Sequence, residues 1–250
     1  MKKMIFIGMT LMAGVSAPLF TYAQSKDAKL TQIIESTNRN HIRMRYFREK
    51  ATKLIVTRSD ADILSDGDIA KVPKEKRIND VHRQNQLFAG IKLNPYVVNY
   101  TVIPDELSHR ETLKNNGVKM RSLYFVYDIQ TKKSSFGIVA DIGPGGQITN
   151  GEFSVHQILE LGLNVDKKTG TGGKDANDII TIIFPNSDEV ISLDEIKRFI
   201  DNGVQGALQW RIDEEGLKLF KKYAETYKFK DLEQVIRAIK NETVSVTNFD

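Results

Sequence analysis

The chain has 250 residues, a formal net charge of +4 and a pI near 9.0, with 27% charged residues and no cysteine. Acidic and basic residues are well mixed after residue 24, so the positive balance is too mild to demand a nucleic-acid partner. Without cysteine there is neither a disulfide framework nor thiol chemistry, and a fold of one large domain must rest on core burial.

The first residues have the pattern of an export signal. Lys2 and Lys3 are followed by an almost wholly apolar run from Met4 to Val15, then Pro18 and the small-residue site Thr21-Tyr22-Ala23. The run is short for a membrane span of about 20 residues. Residues 1–23 are therefore expected to be a signal peptide cut after Ala23. The mature protein is expected to be secreted or periplasmic, with no stable membrane insertion.

In residues 24–50, Leu30, Ile33, Ile34 and Thr37 fall at helical spacing, which predicts a short amphipathic helix. The following stretch, His41 to Arg48, mixes arginines with Tyr46 and Phe47. No nucleic-acid-binding signature fits it, and a solvated face is the better reading, so no nucleic-acid partner is expected. Lys53 to Thr57 predicts a strand running into an acidic loop, Asp60 to Asp68. Its acids miss the alternate positions and the sixth-position glycine of an EF-hand, so a solvated loop, or one facing a cationic substrate, is expected over a calcium site. Residues 71–92 are charged and aperiodic, as in a long irregular segment.

From Pro95 onward the chain turns β-forming. Strands are predicted over Tyr96–Ile103, Arg121–Asp128 and Ser135–Asp141, the last two joined by the polar turn Gln130–Lys133. Val155 to Leu161 predicts a short helix with Ser154 as N-cap and Gly162 as stop. Gly170–Gly173 predicts a flexible loop, and Ile179–Phe184 a buried strand closed by Pro185. Beyond Ser187 the pattern is helical. Ser192 to Glu195 forms a capping box before Ile196, Phe199 and Ile200. A second helix is predicted around Leu217, Phe220 and Tyr223, and a third around Leu232, Val235, Ile236 and Ile239. The expected division is residues 24–50 as an N-terminal helical segment, 51–187 as a β-barrel domain and 188–250 as a C-terminal helical segment. The overall class is α+β with a mainly β core.

The stretch that carries chemistry is Asp141-Ile142-Gly143-Pro144-Gly145-Gly146, followed by Gly151-Glu152-Phe153-Ser154. One acid ends a strand, Gly and Pro turn the chain back, and a second acid comes about eleven residues later. Two carboxyl groups across one cleft are the working parts of most glycoside hydrolases. Taken alone, Asp141 also suits an Asx-turn, and Glu152 suits the N-terminal end of a helix dipole. His156 lies one turn inside the following helix and could reach the same cleft, although a lone histidine there is more often structural. None of the four histidines pairs with another at metal-ligand spacing, so no metal site and no cofactor are expected.

Taken together, these motifs look like a double-psi β-barrel. More specifically, the chain resembles glycoside hydrolase family 75, the fungal-type chitosanases. The resemblance rests on Asp60-Ala61-Asp62-Ile63-Leu64-Ser65-Asp66-Gly67, Gly137 to Pro144, Gly151-Glu152-Phe153-Ser154, Leu161-Gly162-Leu163, Gly172-Gly173 and Phe184-Pro185-Asn186-Ser187, and spans residues 54–187. It implies an inverting hydrolase with Asp141 as general base and Glu152 as general acid. It also implies a polysaccharide partner, chitosan first. Because chitosan is a polycation, Asp60, Asp62, Asp66 and Asp128, with His156, are the candidate substrate-binding residues. Two rival readings are a peptidoglycan lytic transglycosylase, which needs one catalytic acid, and a barrel that binds glycan or an envelope partner without cutting it.

Overall fold

The computed structural model describes residues 30–37, 43–49, 52–64, 67–69, 72–73, 77, 87–143, 151–166 and 172–227. The chain begins there with two strands, β1 (Leu30–Thr37) and β2 (Arg43–Glu49), paired antiparallel. This corrects the helix expected in residues 24–50. Thr31, Ile33 and Ile34 are β-branched and favour extended backbone. The pairing also slips between Gln32 and Ile34, which leaves Ile34 buried and Ile33 half-buried. A bulge of this kind puts adjacent apolar residues against one core, and in sequence that pattern imitates the helical period.

Strand β3 (Ile55–Leu64) is longer than expected and contains Asp60 and Asp62, so the first part of the acidic run is strand, not loop. Ala61 between them is fully buried, as two-residue alternation requires. Strand β4 (Tyr100–Ile103) is shorter than expected. Asn94 takes the preceding residues into a turn: its side-chain oxygen accepts the Tyr96 N–H at 2.9 Å, and its carbonyl accepts those of Val97 and Val98 at 3.0 Å. Helix α1 (Leu107–Asn115) has no counterpart in the sequence reading. It buries only Leu113, too little apolar periodicity to be seen.

The predicted hairpin is present as β5 (Leu123–Asp128) and β6 (Ser134–Ile142). Then come β7 (Glu152–Ser154), α2 (Val155–Glu160), β8 (Asn164–Val165) and β9 (Gly172–Ile183). The Ser154 side chain accepts the Gln157 N–H, and α2 stops before Gly162, whose φ is 73°. Both ends of α2 agree with the sequence reading. Gly172 and Gly173, expected in a loop, open β9.

Six strands close into a barrel in the order β3–β7–β4–β6–β5–β9, with β9 pairing back onto β3. The β3–β7 and β4–β6 pairs are parallel; the other four are antiparallel. The mainly β expectation is met. Helices α3 (Leu193–Asp201) and α4 (Gln205–Tyr227) follow. The Ser192 hydroxyl caps α3 by accepting the Glu195 N–H at 3.1 Å, as the capping box predicts.

Helix α4 packs on β5 and β6, with the Phe125 and Phe220 rings 4.9 Å apart and Phe184 stacked on Tyr223 at 5.6 Å. A six-stranded barrel has no room for a helix inside, so this is the outer face of the wall. Leu123, Phe125, Ile138, Ala140, Ile180 and Ile182 face it together with Leu208 and Ile212 of α4. The alternate residues Tyr124, Val126, Val139, Phe153, Ile179 and Ile183 form the cluster on the other side of the wall. The third predicted helix, around Leu232 to Ile239, lies outside the described residues.

Candidate active site

Asp141 is the second-last residue of β6, and Glu152 is the first of β7. Strand β4 runs between them and pairs with both. Val102 of β4 is opposite Asp141. Thr101 is opposite Phe153 in the antiparallel β4–β7 pair, so the next position of β4, Val102, comes level with Glu152. The two acids therefore flank Val102, two interstrand spacings apart, about 9.5 Å between Cα atoms.

A β-bulge decides that they share a face. Thr101 pairs with Val139, but Val102 pairs with Asp141, so Ala140 is the extra residue. In an unbroken register Ala140 would pair with Val102, and Asp141 would fall opposite Ile103 and turn to the side of Val139 and Phe153. A one-residue shift of register turns a side chain to the opposite face, and bulges re-aim side chains beside active sites. Here the bulge brings Asp141 onto the face that Glu152 takes by alternation from Phe153. Both acids are half-buried.

The surroundings hold this row in place. Thr101 Oγ1 donates to the Glu152 carbonyl at 2.7 Å. The Ile142 N–H donates to Asp141 Oδ1 at 2.8 Å. Gly151, with φ of 90°, gives its carbonyl to the Asp62 N–H at 2.8 Å, and a Cβ there would run into the Asp60 carbonyl. That contact locks β7 onto β3 in the register that sets Asp62 opposite Glu152. Asp62, Glu152, Val102 and Asp141 thus form one row across four adjacent strands.

The remaining expected site residues divide. Asp62 is exposed and joins the acid pair; Asp60 is half-buried, two residues back on the same strand. Asp66 lies outside the described residues, as do residues 144–150 between the acids. Asp128 does not join the row. It is fully buried at the hairpin end of β5, where its Oδ1 accepts the Gln130 N–H at 2.7 Å and the Lys174 ammonium at 3.0 Å. It is level with the start of β6, about 25 Å along that strand from Asp141. Its carboxylate shapes a turn and pairs a lysine, and so is not a subsite residue.

His156 belongs to a second polar group. Its Nδ1 is 2.8 Å from Asn99 Oδ1 and 3.9 Å from Glu160 Oε1. Asn99 Nδ2 donates to Glu160 Oε2 at 2.7 Å. The Asn99 N–H donates to Gln209 Oε1 at 2.7 Å, and Gln209 Nε2 donates to Asp213 Oδ1 at 2.9 Å. Burial pushes the Asp213 carboxyl up to about 7, opposed by the Gln209 hydrogen bond and reinforced by the charge of Glu160. Sequence reading found none of these partners of His156, because they come from the residue before β4, from α2 and from α4, and no spacing in the chain connects them. Among the described residues, no three His, Asp or Glu side chains are grouped to hold a metal ion.

A barrel wall carrying a half-buried pair of carboxylates, separated by one strand and flanked by a third acid, has the parts of a glycan-cleaving enzyme. The sequence model described as fungal chitosanase of glycosyl hydrolase group 75 matches residues 61–222. The chain belongs to that family. It is a glycoside hydrolase of chitosanase type, and its substrate is a polysaccharide. The match runs from β3 into α4, past residue 187, where the motifs of the resemblance end. No curated protein matches the chain.

Proposed function

We propose that the protein is an exported endo-chitosanase that cuts β-1,4-linked amino-sugar polymers with inversion, using Asp141 as general base and Glu152 as general acid. The observation that carries this reading is the shared register of Asp141 and Glu152 on either side of Val102. Inverting enzymes hold their two carboxyl groups roughly 6.5–9.5 Å apart, leaving room for a water between base and sugar. Two strand spacings suit that range; neighbouring strands would be too close.

The environments suggest the division of labour. Asp141 accepts a backbone N–H, which favours its charged form and suits a base. Glu152 has Asp62 beside it in register, and a neighbouring negative charge favours the protonated form that an acid needs. Phe153, adjacent in sequence, cannot dry the carboxyl: strand alternation turns it to the other side of the wall, where it is 1% exposed. In the proposed reaction Glu152 gives its proton to the leaving glycosidic oxygen, and Asp141 takes one from the attacking water. Exposed Asp62 offers a carboxylate to the ammonium groups of chitosan. A lytic transglycosylase needs one acid only, so the paired register favours hydrolysis over that rival.

Reducing-sugar release from chitosan tests the reading. Asp141→Asn and Glu152→Gln should each lose at least about a hundredfold in rate, as general acid–base catalysis contributes 10²–10⁴. Proton NMR of the first product should show the α anomer. Wild-type activity in both variants, or a β anomer, overturns the proposal. Export predicts a mature N-terminus at Gln24, checked by mass spectrometry of the secreted protein.

A further inference from the structure

The only tryptophan of the chain, Trp210, stands on α4 with 65% of its surface exposed. It does not serve the core, since α4 buries Leu208, Gln209 and Ile212 around it. An exposed indole presents a broad flat apolar face on which a sugar ring can stack. Asp213 follows three residues later, one turn along the same side of the helix. Glu160 of α2 is joined to it across the seam: the Asn99 amide donates to Glu160, the Asn99 N–H donates to Gln209, and the Gln209 amide donates to Asp213.

Glu160 has the Asn99 amide and the His156 ring, and Asp213 has the Gln209 amide. Among the described residues, neither has a lysine or arginine at ion-pair distance. The neighbouring bases of α4 are engaged elsewhere: Arg211 with Glu195, Glu214 and Glu215, and Lys218 with Glu214 and Glu215. Lys133 lies by Gly162, two residues beyond Glu160, and makes no ion pair with it within 4 Å. A ring with an apolar face and an attached ammonium group complements this surface. A neutral chain would leave the carboxylates uncompensated, and an anionic chain would be repelled.

We infer that Trp210, Asp213 and Glu160 form an outlying subsite for a cationic amino-sugar chain, with one ring stacked on Trp210 and its ammonium group between the two carboxyl groups. The identity of the sugar rests on the chitosanase reading. Asn99, which anchors Glu160, directly precedes β4, three residues before Val102 and about 10 Å from the acid row. The subsite therefore holds a different part of the chain from the part being cut.

Trp210 is its own reporter, because all tryptophan emission comes from it. The full chain carrying Asp141→Asn is titrated with a glucosamine hexamer and, separately, with an N-acetylglucosamine hexamer, following Trp210 fluorescence. The first should shift the emission saturably, and the second should bind at least about tenfold more weakly. Adding Glu160→Gln and Asp213→Asn together should weaken the glucosamine hexamer by at least about tenfold without lowering the melting temperature. Equal affinity for the two hexamers, or silent emission at concentrations where calorimetry shows binding, overturns the inference. Chitosan cleavage by the wild type separates the two proposals. If chitosan is cut while Trp210 is silent, only the subsite fails; if it is uncut while Trp210 responds, only the proposed reaction fails.

Discussion

Among the described residues, Asp213 is the carboxyl group whose ionisation burial disturbs most plainly. Its unfolded carboxyl titrates near 3.8, and burial moves it to about 7 in the folded protein. Between those pH values the folded state keeps a proton that the unfolded chain has released. Stability from this group is therefore complete below about pH 4 and falls as pH rises to about 7. Asp213→Asn should abolish that decline and stabilise the protein at pH 8 by about 2 kcal/mol, after allowance for partial exposure. Urea unfolding of both proteins at pH 4, 6 and 8 checks this; parallel pH profiles would contradict it. Asp62 makes a second prediction at this scale. If its charge keeps the proton on Glu152, Asp62→Asn should move the alkaline limb of the kcat/KM profile down by roughly one pH unit. An unmoved limb would restrict Asp62 to substrate contact.

At the scale of elements, the short strand β7 positions the acid. It is three residues long and depends on Gly151 for its seat against β3. Gly151→Ala strains a backbone at φ of 90° and collides with the Asp60 carbonyl. It should cost about 1–3 kcal/mol in stability. It should also lower kcat more than KM, because Glu152 moves with the strand; a thermal melt and initial rates measure the two effects. The elements also differ in how visible they were beforehand. The Ser154 cap, the hairpin turn at Gln130–Lys133 and the Ser192 capping box depend on residues within a few positions of one another, and all were legible. The pair β1–β2 was not, because Ile33 and Ile34 face one core only through a bulge against β2. Helix α1 was hidden by its single buried residue.

At the scale of the whole molecule, the C-terminal helices complete the barrel. Ile196, Leu208 and Ile212 are fully buried against its outer wall, in one cluster with Phe125, Ile138 and Ile182. Leu208→Ala should cost about 3 kcal/mol. It should lower the unfolding midpoint seen by Trp210 emission and by far-UV circular dichroism together, since helix and barrel share a core. Separate midpoints would show α4 unfolding alone, as the expected division at residue 188 implies.

The acids themselves, their strand-end and strand-start positions, and the family they signal were determined by local order along the chain. Periodicity, caps and turn residues act over a few positions, and a linear reading can follow them. Closure of β9 onto β3, the row from Asp62 to Asp141, and the linking of Glu160 to Asp213 through Asn99 and Gln209 were decided only by tertiary structure. Each depends on the pairing register of strands or helices far apart in sequence. A one-residue bulge is enough to choose which face a carboxylate takes, and no local pattern announces that choice.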